Sequence, residues 1–235
     1  MVANSPAGAV VTLGEIAVVL GTMVFIMRQC RKPSSGLGRA LARSMNASHD
    51  ALTRWGLSHL ANGPRANVLD VGCGGGRTIE TLLSRLPEGT VTGVDYSSAS
   101  VEVARATNRS SIERGRVRLQ EASVSSLPFP DETFDLVTAV ETHYYWPDLA
   151  TDVREVMRVM KPGGTFTIIA ETYRGRRGDW LYLPVMRGVL RANYLTPDEH
   201  RRLLTDAGYR DVQVYEEKAR GWICAVGNKP LAAAW

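Results

Sequence analysis

One run constrains the fold of this 235-residue chain more than any other: Val68-Leu69-Asp70-Val71-Gly72-Cys73-Gly74-Gly75-Gly76-Arg77-Thr78. It reads as a buried strand, a carboxylate near its end and a glycine loop that opens a helix. Glycines let backbone pass close to a ligand with no Cβ in the way, and the helix that follows presents free N–H groups at its start. The combination fits a nucleoside cofactor. A dinucleotide site wants G-x-G-x-x-G, with the last glycine packing helix on strand. Here Arg77 holds that position and the spacing is G-x-G-x-G. Asp70, two residues before Gly72, is placed to meet an ammonium group, so a cofactor with an amino-acid tail fits better than a pyrophosphate.

A second β-branched run, Thr90-Val91-Thr92-Gly93-Val94-Asp95-Tyr96-Ser97, ends in an acid about twenty residues beyond the loop. Asp95 is placed to accept both hydroxyls of a ribose, and Tyr96 beside it offers a ring to a base. A third piece runs from Ser123 to Val137 and contains Leu127-Pro128-Phe129-Pro130-Asp131, then Phe134-Asp135-Leu136-Val137.

In these three segments the chain resembles the class I S-adenosylmethionine-dependent methyltransferases of the small-molecule type, similar to those of quinone biosynthesis. The likeness extends from about Met45 to Val226. It implies S-adenosylmethionine as cofactor, with S-adenosylhomocysteine as product. It also implies a binding site made of Asp70, Gly72, Cys73, Gly74, Gly76, Asp95, Tyr96, Ser123, Val124 and Val140. Many relatives carry Asp where this chain has Ser123. A hydroxyl accepts a bond from the adenine amino group more weakly than a carboxylate, and the Val124 N–H can read the ring whatever its side chain. The donor motifs do not name the acceptor.

From Asn67 onward strands and helices alternate, which predicts an open α/β sheet with helices on both faces. Strands are expected near 67–71, 91–95, 117–120, 134–140, 165–170, 212–216 and 222–227. Helices are expected over 48–60, 76–86, 98–114, 149–160 and 197–207, with Lys161 to Gly164 ending the fourth helix of the alternating region and Thr196-Pro197-Asp198-Glu199 starting the last. The resemblance makes this a Rossmann-like, seven-stranded, mostly parallel sheet whose last strand is antiparallel.

The apolar share of 44% is enough for a full core, and a charged share of 22% is ordinary for a folded domain. Arginine outnumbers lysine 24 to 4 within a net charge of +4. No basic stripe with interleaved aromatics is present, so a nucleic-acid partner is not expected. Cys30, Cys73 and Cys224 are odd in number and widely spaced, so neither a disulfide framework nor a zinc spacing follows, and no metal is expected.

Ala7 to Met27 is almost entirely apolar and, as a helix, about 31 Å long, close to a bilayer core. Glu15 opposes insertion by about 2 to 3 kcal/mol. Arg28, Arg31, Lys32, Arg39 and Arg43 follow the segment, and the positive-inside rule then puts the rest of the chain in the cytoplasm. The expected organisation is an N-terminal membrane anchor over 1–32 built on a hydrophobic helix, a Pro-, Ser- and Gly-rich linker over 33–45, and a catalytic domain over 46–235.

Ligands of open α/β sheets bind beyond the carboxyl ends of the strands. After strand four comes Glu141-Thr142-His143-Tyr144-Tyr145-Trp146-Pro147-Asp148. His143 is the first candidate for a general base, with a backbone-bonded structural histidine as its competitor. Glu141 is a candidate to orient it or to hold the donor's amino group, and Tyr145 to wall the pocket or assist. In the preceding helix His49, Trp55 and His59 face substrate or serve packing. Further on, the basic run 174–177 and the apolar run 180–195 suit a substrate cap or an anionic lipid surface. The expected activity is methyl transfer to a small or lipid-soluble O, C or S nucleophile at the cytosolic membrane face. The alternatives are a non-catalytic donor-binding membrane scaffold or an NAD-dependent oxidoreductase.

Overall fold

A computed structural model describes residues 49–231, apart from 62, 64 and 182. The hydrophobic helix, anchor and linker expected over 1–45 lie outside the described residues. Among the described residues no helix is long and apolar enough to cross a membrane.

The described residues begin with α1 (Asp50–Leu57) and then alternate: β1 (Asn67–Val71), α2 (Arg77–Arg85), β2 (Thr90–Asp95), α3 (Ser98–Thr107), α4 (Arg109–Glu113), β3 (Val117–Glu121). There follow β4 (Phe134–Val140), a 3-10 turn (His143–Tyr145), α5 (Leu149–Val159), β5 (Met160–Ala170), a second 3-10 turn (Asp179–Leu181) and a π-helix (Pro184–Val189). α6 (Pro197–Asp206), β6 (Arg210–Glu217) and β7 (Trp222–Asn228) complete the fold. Among the described residues the strands form one sheet of order β3-β2-β1-β4-β5-β7-β6, and β7 pairs antiparallel with both β5 and β6. The seven-stranded, mostly parallel arrangement with an antiparallel last strand is therefore present.

Parallel strands must be covered on both faces, so they read as continuous apolar runs. In β1 the successive residues Val68 and Leu69 are both fully buried. They face opposite cores, as the two-residue period of a strand requires. Val68 packs with Leu52 and Leu57 of α1, Ile79 and Leu82 of α2, and Val101 and Ala104 of α3. Leu69 packs on the other face with Val153, Val156 and Val159 of α5 and Leu204 of α6. α6 starts on a full capping box between Thr196 and Glu199, with proline in its first turn.

Two boundaries differ from expectation. The helix predicted over 98–114 breaks at Asn108, whose Nδ2 donates to the carbonyls of Gly76 (3.0 Å) and Ala104 (3.1 Å). Its amide competes with helical backbone bonding, and here it joins the helix to the glycine loop. Lys161 to Gly164 do not separate helix from strand. They form an irregularity inside β5, where the register jumps from Phe134–Met160 to Leu136–Thr165.

α1 lies directly on β5, because a Cβ on Gly56 would meet three side-chain atoms of Ile169 at 2.5 to 2.8 Å. Overpacking costs about 1 to 3 kcal/mol, against a helix-propensity gain of about 1 kcal/mol for Gly→Ala. Gly56→Ala is accordingly expected to lower the unfolding midpoint, and adding Ile169→Val to recover part of the loss. An unchanged or raised midpoint in urea titration of the single variant would refute this contact.

Candidate active site

The order of strands reverses between β1 and β4, and this switch point leaves a crevice beyond their carboxyl ends. A cavity of about 750 Å³ opens there. Its floor is the glycine loop, where Gly72, Gly74 and Gly76 adopt φ of +73°, +51° and +83°. Each is a left-handed conformation open to glycine at little cost. They serve different ends. A Cβ on Gly72 would stand 2.0 Å from Thr142 Oγ1, and one on Gly76 would stand 2.4 Å from Asn108 Nδ2. A Cβ on Gly74 would meet nothing within 4 Å. Gly72 and Gly76 thus permit close packing, and Gly74 keeps the loop bare on the cavity side.

Asp95 closes one side of the floor from the end of β2 and is 7% exposed. Its Oδ2 accepts from the Gly74 N–H at 3.0 Å and its Oδ1 from the Ser97 N–H at 2.9 Å. Burial raises its pKa, and these two donors pull it back. Each oxygen keeps a lone pair, so the carboxylate can still accept two ribose hydroxyls. Cys73, Tyr96, Ser123, Val124 and Val140 also line the cavity. Burial holds the Cys73 thiol well above its usual pKa and therefore neutral. The floor thus suits S-adenosylmethionine: a carboxylate for the ribose, a bare glycine for close approach and the Val124 backbone beside an apolar slot.

Two expected cofactor residues lie behind this wall. Gly76 packs against α3, since only a residue without a side chain fits beside Asn108 and Ala104. Asp70 is 1% exposed, and its Oδ1 accepts from Thr138 Oγ1 at 2.6 Å across the β1–β4 pairing. Its Oδ2 is buried with no partner among the described residues, and burial pushes its pKa up to about 7. An orphaned carboxylate oxygen under the loop is an acceptor for a ligand ammonium that reaches it.

The other half of the cavity is aromatic and apolar. Tyr144, Tyr145 and Trp146 form one wall, and Val185, Met186 and Leu190 form the roof. Asn193 fastens the roof by donating from Nδ2 to the Trp146 carbonyl at 2.9 Å and from its backbone N–H to the Tyr144 carbonyl at 2.8 Å. At the edge His49, Glu141 and Glu171 converge, with one donor atom from each within 4.8 Å of the others, a set able to hold either a cation or a proton. Glu141 sits at φ +59° and accepts from the Glu171 N–H. Burial, then the neighbouring Glu171 charge, raises its pKa well above the carboxylate range and favours the protonated acid. His49 Nε2 lies 3.7 Å from Glu171 Oε2. Burial lowers its pKa more than Glu171 raises it, which favours the neutral ring.

His143, expected as the base, does not reach the cavity. Its ring is fully buried, and its Nε2 lies 3.3 Å from His200 Nε2 of α6. His200 Nδ1 lies 2.8 Å from the Thr196 carbonyl. The carbonyl only accepts, so His200 Nδ1 donates to it; His200 Nε2 then accepts and His143 Nε2 donates. The pair is a neutral tie between the post-β4 turn and α6. Sequence reasoning also passed over Glu171, Thr142 and Asn108. None belongs to a motif, and their positions follow from strand register and loop path alone.

Burial pushes the His200 pKa down to about 4 and that of His143 well below the usual value. Unfolded histidines titrate near 6.5, so between those limits the unfolded chain binds more protons. This contribution is complete above about pH 6.5 and is lost as pH falls toward 4, on the order of 3 kcal/mol for His200 alone. Asp70, with a raised pKa, titrates in the same window with the opposite sign. The comparison is therefore between the wild type and a His143→Phe, His200→Phe variant. The wild type is expected to lose more stability between pH 6.5 and 4.5, and parallel pH profiles would refute the neutral pair.

Residues 69–168 match the family described as "Methyltransferase domain". The chain is 38% identical over 112 residues, 48% of its length, to the methyltransferase GfsG of Streptomyces halstedii. Over 117 residues, 49% of its length, it is 30% identical to the ubiquinone/menaquinone biosynthesis C-methyltransferase UbiE of Geotalea daltonii. These alignments cover 40% and 50% of the relatives themselves, so the chain spans about half the length of each. In fold it is similar to human N-acetylserotonin methyltransferase in complex with S-adenosylmethionine, with a TM-score of 0.70 and 22% identity over 83% of this chain and 57% of that one. With its glycine loop and acid at adjacent strand ends of a 3-2-1-4-5-7-6 sheet, the chain carries a methyltransferase-domain match over residues 69–168 and is similar there to the class I S-adenosylmethionine-dependent methyltransferases.

Proposed function

We propose that this protein methylates a small, lipid-soluble acceptor at the cytosolic face of a membrane. One observation carries the reading: a single cavity joins the polar donor floor to an apolar, aromatic chamber with an acid–imidazole edge. Its volume of about 750 Å³ is within the usual range for small-ligand pockets, about 300 to 1,000 Å³. When bound, the donor supplies an electrophilic methyl carbon on a sulfonium. The protein's part is alignment, exclusion of water and management of one proton.

The aromatic wall and the Val185, Met186 and Leu190 roof favour an apolar ring or chain over a polar metabolite. In the sequence, residues 7–27 are almost wholly apolar, with basic residues after them, which supports delivery of the acceptor from a bilayer. The UbiE relative is named for quinone biosynthesis, in keeping with an acceptor of that solubility.

His49 takes the base role first assigned to His143. It is on the cavity wall and favours the neutral form, so Nε2 can take the proton of a hydroxyl or an acidic carbon. Glu171 then faces the imidazolium and stabilises it. Glu141, held as the acid, keeps its proton and offers a hydrogen bond to the acceptor, and Tyr145 walls the chamber.

Asp95→Ala removes two charge-assisted bonds to the ribose, each about 1.5 to 3 kcal/mol. Calorimetry of the full chain with S-adenosylmethionine is expected to show affinity reduced by at least roughly 100-fold. Equal affinity in a folded variant would remove Asp95 from the site and overturn the reading of the floor. His49→Ala is expected to lower turnover of a phenol or quinol about 100-fold or more, leaving donor affinity unchanged. Wild-type turnover should rise with pH through a titration below 6.5, the direction in which burial shifts His49. A pH profile that survives the substitution would exclude His49 as the base.

A further inference from the structure

The roof of the cavity has a second face. Val185, Met186 and Leu190 point into the chamber, yet the same short stretch exposes Trp180 (74%), Leu181 (60%) and Val189 (38%). Arg177, Arg187 and Arg191 are exposed around them, and none forms an ion pair among the described residues. No Asp or Glu occurs from Trp180 to Thr196. The acid next to this stretch in the sequence, Asp179, is engaged within the fold: its Oδ1 accepts from Tyr194 Oη at 2.6 Å and its Oδ2 from the Gly175 N–H at 2.8 Å.

An exposed indole and aliphatic groups interleaved in one short stretch with exposed arginines that form no ion pair among the described residues match one partner chemistry. Trp suits the interfacial layer of a bilayer, and arginines keep their charge at the headgroups while their stems lie on apolar surface. Anionic headgroups supply the missing negative charge. We infer that the outer face of residues 177–191 docks on an anionic membrane surface, which puts the cavity roof between the chamber and the bilayer. One helix separates the two, a layer about 10 Å thick. His49, the first described residue, is itself on the cavity wall. The docked roof is the route by which a lipid-soluble acceptor enters, which rests on the membrane-face reading above.

The test uses the full chain on vesicles of phosphatidylcholine with phosphatidylglycerol, with brominated acyl chains as quenchers of tryptophan fluorescence. The wild type is expected to be quenched more than Trp180→Phe. That difference should disappear on pure phosphatidylcholine vesicles and in high salt. Arg187→Ser with Arg191→Ser should require roughly 30-fold more anionic lipid for the same Trp180 quenching. Equal quenching of wild type and Trp180→Phe on anionic vesicles would overturn the inference, leaving any membrane attachment to residues 7–27. Association of chains without lipid that Trp180→Ser abolishes would also overturn it, in favour of a self-contact. Trp180 is off the cavity wall, so donor binding by calorimetry reads the active-site proposal separately: loss of docking with donor affinity intact, or the reverse, identifies which reading failed.

Discussion

The turn from β1 into α2 must fit between two walls that leave no room for a side chain at Gly72 or at Gly76. On one side stands Thr142, just beyond β4, and on the other stand Asn108 and Ala104 at the end of α3. The left-handed backbone at Gly72, Gly74 and Gly76 meets that constraint, and the Gly74 N–H then reaches the Asp95 carboxylate at 3.0 Å. This one bond ties the loop after β1 to the end of β2. It sets the floor on which a nucleoside can lie. Asn108 completes the brace from α3, so helix, loop and strand end form one rigid corner.

Around that corner the two halves of the cavity obey different physics. The donor half is made of backbone groups and one engaged carboxylate, held by strand ends that do not move independently. The acceptor half is made of side chains on turns and a short π-helix, bound to the body by Asn193 and by Tyr144 Oη, which donates to the Thr172 carbonyl at 2.8 Å. Burial sets the charge states at the chamber edge: Glu141 favours its proton and His49 gives one up, so acid and base stand side by side near neutrality.

The extent to which the sequence could be read follows from how local each signal is. Strand ends and helix starts were legible because apolar runs, the Thr196 cap and the glycine loop are continuous in the chain. The break at Asn108 was not, since it depends on a carbonyl 32 residues away. His143 was misread for a similar reason. An imidazole after strand four has the right chemistry for a base, but it turns toward a second histidine 57 residues on and never meets the cavity.

By itself the sequence determined the alternating α/β architecture, the donor loop and the acid that ends β2, because each is encoded by residue type at short, fixed spacing. Only the tertiary structure decided which groups share the cavity. It brought His49, Glu141 and Glu171 together from three separate segments, moved Asp70 and Gly76 one layer beneath the wall and withdrew His143. The physical reason is that strand order and loop path join residues distant in the chain, and burial then sets the protonation of each, neither of which is written in any local pattern.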